Sequence, residues 1–308
     1  MPDPNPTTVP KSFEFIIVGA GSASCLLTSR LSKHLPNHHI LVLEAGEHVR
    51  NDPKIQTPGL SPALMADPAY DWCYTTAAEP GLNGRTIKHP RGKLVGGSSA
   101  INSHSVVFPN HEWHDRIAEE LLAPAGRADW SADGMRGCYA RWLLEGEEVH
   151  EERGLGSLDR VRTSYPRARD LLQSSWLKAF EEIGHATRTT GFVESAAGAV
   201  PVTNAVDSSK GERSHAGTAF LEPALERGNV TLRTGVKVDK IAFEDKSTAD
   251  AELNATGVHY THKGQEHFVR GQEIIICAGA FESPALLEWS GIGSKEVLAA
   301  ANGSCETG

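Results

Sequence analysis

The residues with the clearest chemical potential are Gly19-Ala20-Gly21-Ser22-Ala23-Ser24, which follow the apolar run Phe13-Glu14-Phe15-Ile16-Ile17-Val18. Gly19 and Gly21 permit a sharp bend and a close backbone approach to a pyrophosphate. Its charge would rest against the free N–H groups and positive dipole end of a helix opening at Ser22 and Ala23. Glu44 stands twenty residues after Ser24, at the end of the next apolar run, where an acceptor for ribose hydroxyls belongs. Ser24 takes the third small position, which packs the helix on the strand. The competing reading is an ordinary strand-to-helix turn without a ligand, and the turn alone does not separate one dinucleotide from another.

A second phrase, Arg91-Gly92-Lys93-Leu94-Val95-Gly96-Gly97-Ser98-Ser99-Ala100-Ile101-Asn102, exposes successive N–H groups and hydroxyls. Such a run forms a nest for an anionic or electron-rich group. A flexible linker is the bland alternative. Two backbone-rich cradles in one chain favour a large cofactor over a small one. The five cysteines are odd in number and form no C-x-x-C pair, so neither a disulfide framework nor a zinc site is indicated, and no metal is expected.

The elements that must hold these phrases follow from periodicity. Residues 13–18 and 40–43 read as strands buried on both faces, joined by a helix over residues 22–34 with Leu26, Leu27 and Leu31 on its inner stripe. Strand, tight turn, helix and strand make one right-handed βαβ unit. Residues 51–78 lack periodicity and read as a long surface connection. Helices are expected over 112–122, 133–145 and 167–183, with a solvated charge cluster at 145–153. Four short strands at 230–233, 237–243, 257–261 and 266–270 suggest a β-meander beside the nucleotide-binding sheet. A further doubly buried strand, residues 273–277, leads into a helix with Pro284 at its first position and a glycine stop at Gly291.

At 308 residues the chain is long enough for two intertwined lobes. Thirty basic against thirty-nine acidic residues give a net charge of −9, which argues against nucleic acid or an anionic membrane as partner. The first eleven residues carry no apolar signal core, and no run of eighteen apolar residues occurs. A cytoplasmic location is expected.

Three phrases together resemble the glucose-methanol-choline (GMC) oxidoreductases, a family of FAD-dependent alcohol oxidases and dehydrogenases. Gly19 to Ser24 with Glu44-Ala45-Gly46 resembles the family's ADP-binding start, and Gly92 to Asn102 its first signature. The stretch from Gly279-Ala280-Phe281-Glu282-Ser283-Pro284 to Ser290-Gly291-Ile292-Gly293 resembles its second signature. Arg213-Ser214 and Ala219-Phe220-Leu221-Glu222-Pro223-Ala224 resemble the stretch before the meander. The resemblance implies an α/β fold: a Rossmann-like FAD-binding parallel sheet with a β-meander and an incomplete substrate (cap) domain. Residues 1–140 and 205–308 would form the FAD-binding domain and 141–204 part of the substrate domain, with the C-terminal half of the family fold absent.

The resemblance also assigns roles. Gly19, Gly21, Ser22, Ala23, Glu44 and Ala45 would hold the ADP portion of FAD, with Val238 addressing adenine through its backbone. Val95, Gly96, Ser99, Asn102, Ser103, His104 and Val106 would lie near the flavin ring, and Arg91, Ala278 and Gly279 would also bind the cofactor. Val106 replaces a residue that is usually aromatic or alanine. In some relatives a histidine two positions before the matching arginine is bonded to flavin, which makes His89 a candidate for covalent linkage against a plain loop histidine. The implied reaction takes hydride from an alcohol carbon to flavin N5, giving an aldehyde or ketone. Family substrates include sugars, choline, aryl alcohols and secondary metabolites. The family's catalytic histidine and its partner match no residue here. A catalytically silent FAD-binding or interaction protein is therefore the alternative function.

Overall fold

The computed structural model describes residues 12–107, 109–122, 124–143, 160–164, 171–187, 198–199, 202–244 and 253–304. The chain divides into two compact units, one of residues 1–55, 59–101 and 215–308, the other of residues 56–58 and 102–214.

The first unit is built on a six-stranded sheet. Its strands are β1 (Ser12–Val18), β2 (Ile40–Leu43), β3 (Val230–Arg233), β4 (Val236–Phe243), β5 (Ala255–His262) and β6 (Gln265–Ile276), in the order β4-β5-β6-β1-β2-β3. β6, β1, β2 and β3 run parallel, whereas β4, β5 and β6 pair antiparallel. Ile16, Ile17, Ile40, Leu41 and Val42 are completely buried, as parallel strands covered on both faces require.

Two strand expectations are corrected. Residues 230–233 join the parallel part of the sheet, pairing Ile40 with Val230 and Leu43 with Arg233, instead of opening the meander. Residues 266–270 and 273–277 are one continuous strand, β6, because Gly271 does not interrupt it. Opposite Phe13, the absent Gly271 side chain leaves room for Ile16, whose Cδ1 lies 2.6 Å from where a Cβ would stand. The second half of β6 is also less covered than expected: Glu273 is exposed and Ile274 to Ile276 are half-buried. Pairing with β5 ends at Arg270, so among the described residues β6 has only β1 beside it from there on.

Helix α1 (Ser22–His34) follows β1 over the expected span, but the buried face is not the expected one. Ser24, Cys25, Thr28, Ser29 and Ser32 face inward, while Leu26 is 40 % exposed and Leu27 and Leu31 are half-buried. These side chains are small, and those of Ser24 and Cys25 bond the backbone just before them, whereas the buried Thr28 Oγ1 has no hydrogen-bond partner. Ser24 Oγ donates to the Gly21 carbonyl at 3.0 Å and Cys25 Sγ to the Ala20 carbonyl at 3.2 Å. Burial pushes the Cys25 thiol up to about 12, so it stays protonated.

The far end of α1 is closed by a residue distant in sequence. Asn229, buried before β3, donates through Nδ2 to the carbonyls of Ser32, Leu35 and His38 at 3.2–3.3 Å and accepts from Ser32 Oγ at 2.8 Å. One amide thereby satisfies carbonyls that the helix end leaves open.

Helix α2 (Gly279–Trp289) follows β6. Pro284 lies inside it, not at its first position, so the bond residue 284 would give the Ala280 carbonyl is missing. The expected stop is present: Gly291 has φ +84° and Ile292 N–H bonds the Leu287 carbonyl at 2.9 Å. Within residues 51–78, Tyr74–Thr75 pairs with Lys88–His89, and Asp71 organises the connection. Its buried carboxylate accepts backbone N–H groups from Ala66, Cys73 and Arg91 at 2.7–3.0 Å.

The second unit contains helices His111–Leu121, Pro124–Trp130, Ala132–Leu143 and Leu171–Glu182. Asn110 caps the first, accepting from Trp113 N–H at 2.9 Å, and His114 Nε2 lies 2.8 Å from Tyr139 Oη on the third. The charged stretch 145–153 lies outside the described residues. Cys25, Cys73, Cys138 and Cys277 are free thiols. No described helix is long and apolar enough to cross a membrane.

Two substitutions separate the observed face of α1 from the expected one. Asn229→Ala should cost about 1–3 kcal/mol, because it leaves buried carbonyls without a donor. Leu26→Ser should stay within roughly 0.5 kcal/mol. Urea unfolding of both variants checks this; equal losses would refute the assignment.

Candidate functional site

A cleft of about 300 Å³ opens at the C-terminal ends of β1 and β2, where α1 and α2 begin. Parallel α/β sheets bind ligands at this end, because loops there converge with helix N-termini. Of the expected site residues, Gly19, Gly21, Ser22, Ala23, Glu44, Ala45, Arg91, Val238, Ala278 and Gly279 line it.

The first turn is shaped by Gly19. Its φ is +93°, and a Cβ there would stand 2.6 Å from the Cys277 carbonyl oxygen, so only glycine fits. Gly21 differs: a Cβ would meet nothing within 4 Å, and the residue borders the cleft. The turn thus leaves space in front of the α1 N-terminus, where Gly21 is the cap position and its side of the helix carries no capping side chain. That space suits a group approaching the N–H donors directly.

Glu44 braces this turn. Its Oε2 accepts the Ala20 N–H at 2.7 Å and its Oε1 the Gly46 N–H at 2.8 Å, while the residue is 6 % exposed. Burial raises its carboxyl to about 6 in spite of those donors. Each carboxylate oxygen keeps further lone-pair capacity, so the group remains able to accept from a ligand hydroxyl at the cleft wall.

The second phrase docks on the first. Gly96 N–H donates to the Ala20 carbonyl at 2.8 Å and Val95 N–H to the Glu47 carbonyl at 3.1 Å. At Gly97, φ is +52° and a Cβ would fall 2.7 Å from Gly21 Cα, so the two glycine bends touch through backbone alone. Val95, Gly96 and Ser99 stand behind the lining formed by Gly97 and Ser98. Ser99 Oγ donates to the Gly96 carbonyl at 2.6 Å and accepts from Ala216 N–H at 3.1 Å.

Asn102, Ser103, His104 and Val106 belong to the second unit. Val106 is buried and pairs with Thr203, and Ser103 is exposed. Asn102 Oδ1 accepts from His104 N–H at 3.1 Å and from Arg213 Nη1 at 2.9 Å. His104 adopts φ +67°, unusual for a residue with a side chain. Burial, then the nearby Arg213 cation, lowers its imidazole to about 4, and its Nε2 has no hydrogen-bond partner. It is neutral at physiological pH. His89 is half-buried, its ring edge-on to Phe281 at 5.7 Å.

Aromatic residues at the cleft went unread in the sequence. Trp72, Tyr74, Phe281 and Trp289 line it, with Trp72 and Tyr74 stacked at 5.8 Å. Tyr74 Oη donates to Glu282 Oε1, and burial followed by that bond raises the phenol above its ordinary value. Cations sit on these rings: Arg91 over Phe281 at 5.2 Å, Lys93 over Trp72 at 4.9 Å and Lys237 over Trp289 at 5.0 Å. Phe281 and Trp289 lay inside the second signature phrase, where their ring character was the only available signal. Trp72 and Tyr74 lay in the long connection, where no periodicity marked them.

Glycine turn, helix N-terminus and acidic residue at the next strand end define the dinucleotide-binding class of α/β proteins. The chain belongs to the GMC oxidoreductase family, whose model matches residues 13–301. Human mitochondrial choline dehydrogenase is 32 % identical over 301 residues, covering 93 % of this chain and 46 % of the relative. Pyridoxine 4-oxidase from Mesorbium loti superimposes with a TM-score of 0.81 at 29 % identity, covering 94 % of this chain and 54 % of the neighbour. An FAD-dependent oxidoreductase from Chaetomium thermophilum gives 0.78 at 26 % identity, covering 94 % and 49 %. The chain spans about half the length of the relatives it matches. The family, the mixed α/β fold and the flavin cofactor expected of that family stand on these likenesses.

The Glu44 environment has a pH signature. Its folded-state carboxyl is raised from 4.5 to about 6, so the folded chain binds this proton more tightly than the unfolded chain. The resulting stabilisation is complete below pH 4.5 and is lost as pH rises through 6, roughly 2 kcal/mol in all. Glu44→Gln cannot titrate. The stability difference between wild type and this variant should therefore move by about that amount in the variant's favour between pH 4.5 and 7. Parallel thermal unfolding curves, with no change in the difference across that range, would count against it.

Proposed function

We propose that the first unit binds FAD with its pyrophosphate over Gly21 and its adenosine ribose at Glu44, and that the protein is an FAD-dependent oxidoreductase of alcohols. The observation that carries this reading is the open volume over Gly21, bordered by the α1 N-terminus, with Glu44 braced at its side. A chain without a ligand to admit would gain stability by filling that space.

When bound, the flavin supplies a hydride acceptor for the substrate carbon. The chain's own residues supply position and electrostatics. Free N–H groups at the α1 N-terminus face the pyrophosphate charge, and Ser22 and Ala23 continue that face. Glu44 accepts from the ribose hydroxyls while its other lone pairs hold Ala20 and Gly46. Arg91, with its guanidinium on Phe281, adds a positive charge at the cleft wall. Gly97 lets the second bend close over the first and keep water off the cofactor backbone.

The remaining assignments belong to the same proposal. Val95, Gly96, Ser99, Asn102, Ser103, His104 and Val106 follow the flavin, Val238 addresses adenine, and residues 141–204 serve the substrate domain. His104, neutral, offers a hydrogen bond and not a fixed charge. We assign no catalytic base and no covalent link at His89. The substrate is a small-molecule alcohol, the partners include neither nucleic acid nor membrane, and the location is cytoplasmic. A cofactor-binding protein without turnover is the second reading, which the flavin-bleaching measurement separates from the first.

Purified protein should carry flavin absorbance, and anaerobic addition of alcohols, choline among them, should bleach it. Retained yellow colour under every alcohol would favour the second reading. Gly21→Val should keep the wild-type circular dichroism and lose the flavin, whereas Gly19→Val should destabilise the fold itself by about 1–3 kcal/mol through its left-handed backbone. A yellow Gly21→Val protein would sink the assignment.

A further inference from the structure

We propose that Trp289 is the stacking surface for the adenine ring of the bound dinucleotide, with Lys237 as its positioning residue. The inference rests on the FAD reading above and extends it to residues that carry no assigned role.

Trp289 closes α2 and lines the same cleft as Glu44 and Val238. With the pyrophosphate at the α1 N-terminus and the ribose at Glu44, the base continues toward the wall made by Val236, Val238 and Leu286. That wall is aliphatic and suits the apolar face of a purine. Trp289 contacts β4 through the Lys237 cation, 5.0 Å from its ring. An indole that is 49 % exposed gains little for the core, yet it is held in place.

The hold is specific. Ser290 Oγ accepts the Ile241 N–H at 2.8 Å and donates to the Leu286 carbonyl at 2.6 Å, which ties the end of α2 to β4 next to the indole. The Gly291 stop then fixes where the helix ends. Lys237 rests on the ring and limits its rotation about the side-chain bonds. A large flat ring is thus presented at the base end of a nucleotide cleft with its orientation already set, so little conformational entropy is lost on stacking.

Base-on-indole stacking is worth roughly 1–3 kcal/mol by alanine substitution. Calorimetric titration of the flavin-stripped full chain with FAD, ADP and FMN tests the assignment. Trp289→Ala should weaken ADP and FAD by about tenfold or more, Trp289→Phe by about threefold or less, and FMN, which lacks the base, should bind all three proteins alike. Independently, ADP should quench a tryptophan fluorescence component that Trp289→Phe lacks. Unchanged ADP affinity in Trp289→Ala, or equal quenching in wild type and Trp289→Phe, overturns the proposal while wild-type FAD binding leaves the flavin reading standing. A wild-type protein that binds neither FAD nor ADP overturns both.

Discussion

Everything at the cleft depends on one buried carboxylate spanning two backbone amides. Glu44, at the end of β2, holds Ala20 in the first turn and Gly46 in the segment that follows it. With Ala20 pinned, its carbonyl is aimed at Gly96, and the second glycine bend lands on the first. A neutral isostere would present an N–H to an N–H at one of those contacts, and the whole chain of docking would lose its origin. The elevated proton affinity of Glu44 is the energetic trace of placing a charge where water is absent.

The backbone contact between Gly97 and Gly21 leaves no room for a Cβ on Gly97, whereas Gly21 faces the open cleft. The inner face of α1 is likewise built of small side chains: Ser24, Cys25, Thr28, Ser29 and Ser32 are buried, and the helix N-terminus borders the cleft. Core volume that leucines would have filled is given up for proximity.

Much of this was legible in residue order. The β1–α1–β2 spans, the glycine turn and the place of Glu44 at the end of β2 follow from local periodicity and spacing, because each is decided within a few residues. What stayed hidden is decided at long range. Asn229 reads as a polar residue before a strand until its three carbonyl partners on the α1 end are in place. Asp71 reads as a loop aspartate until three amides converge on it. The α1 stripe was misread because hydrophobic periodicity assumes that leucines face the sheet, and close helix–sheet contact selects size over polarity. Gly271 resembled a break between two strands, but its neighbour Ile16 across the sheet uses the vacancy, so the strand runs through.

That uninterrupted strand has a kinetic consequence. β1 and its partner β6 stand far apart in the sequence, with Phe13 opposite Gly271. The glycine turn therefore cannot be tensioned against Cys277 until β6 has been synthesised. During that interval β1 has only β2 to pair with and its other edge stays open, and closing so large a loop delays nucleation. Nascent chains of this kind dwell in an aggregation-prone state and place a premium on holdase binding to residues 13–18 during translation.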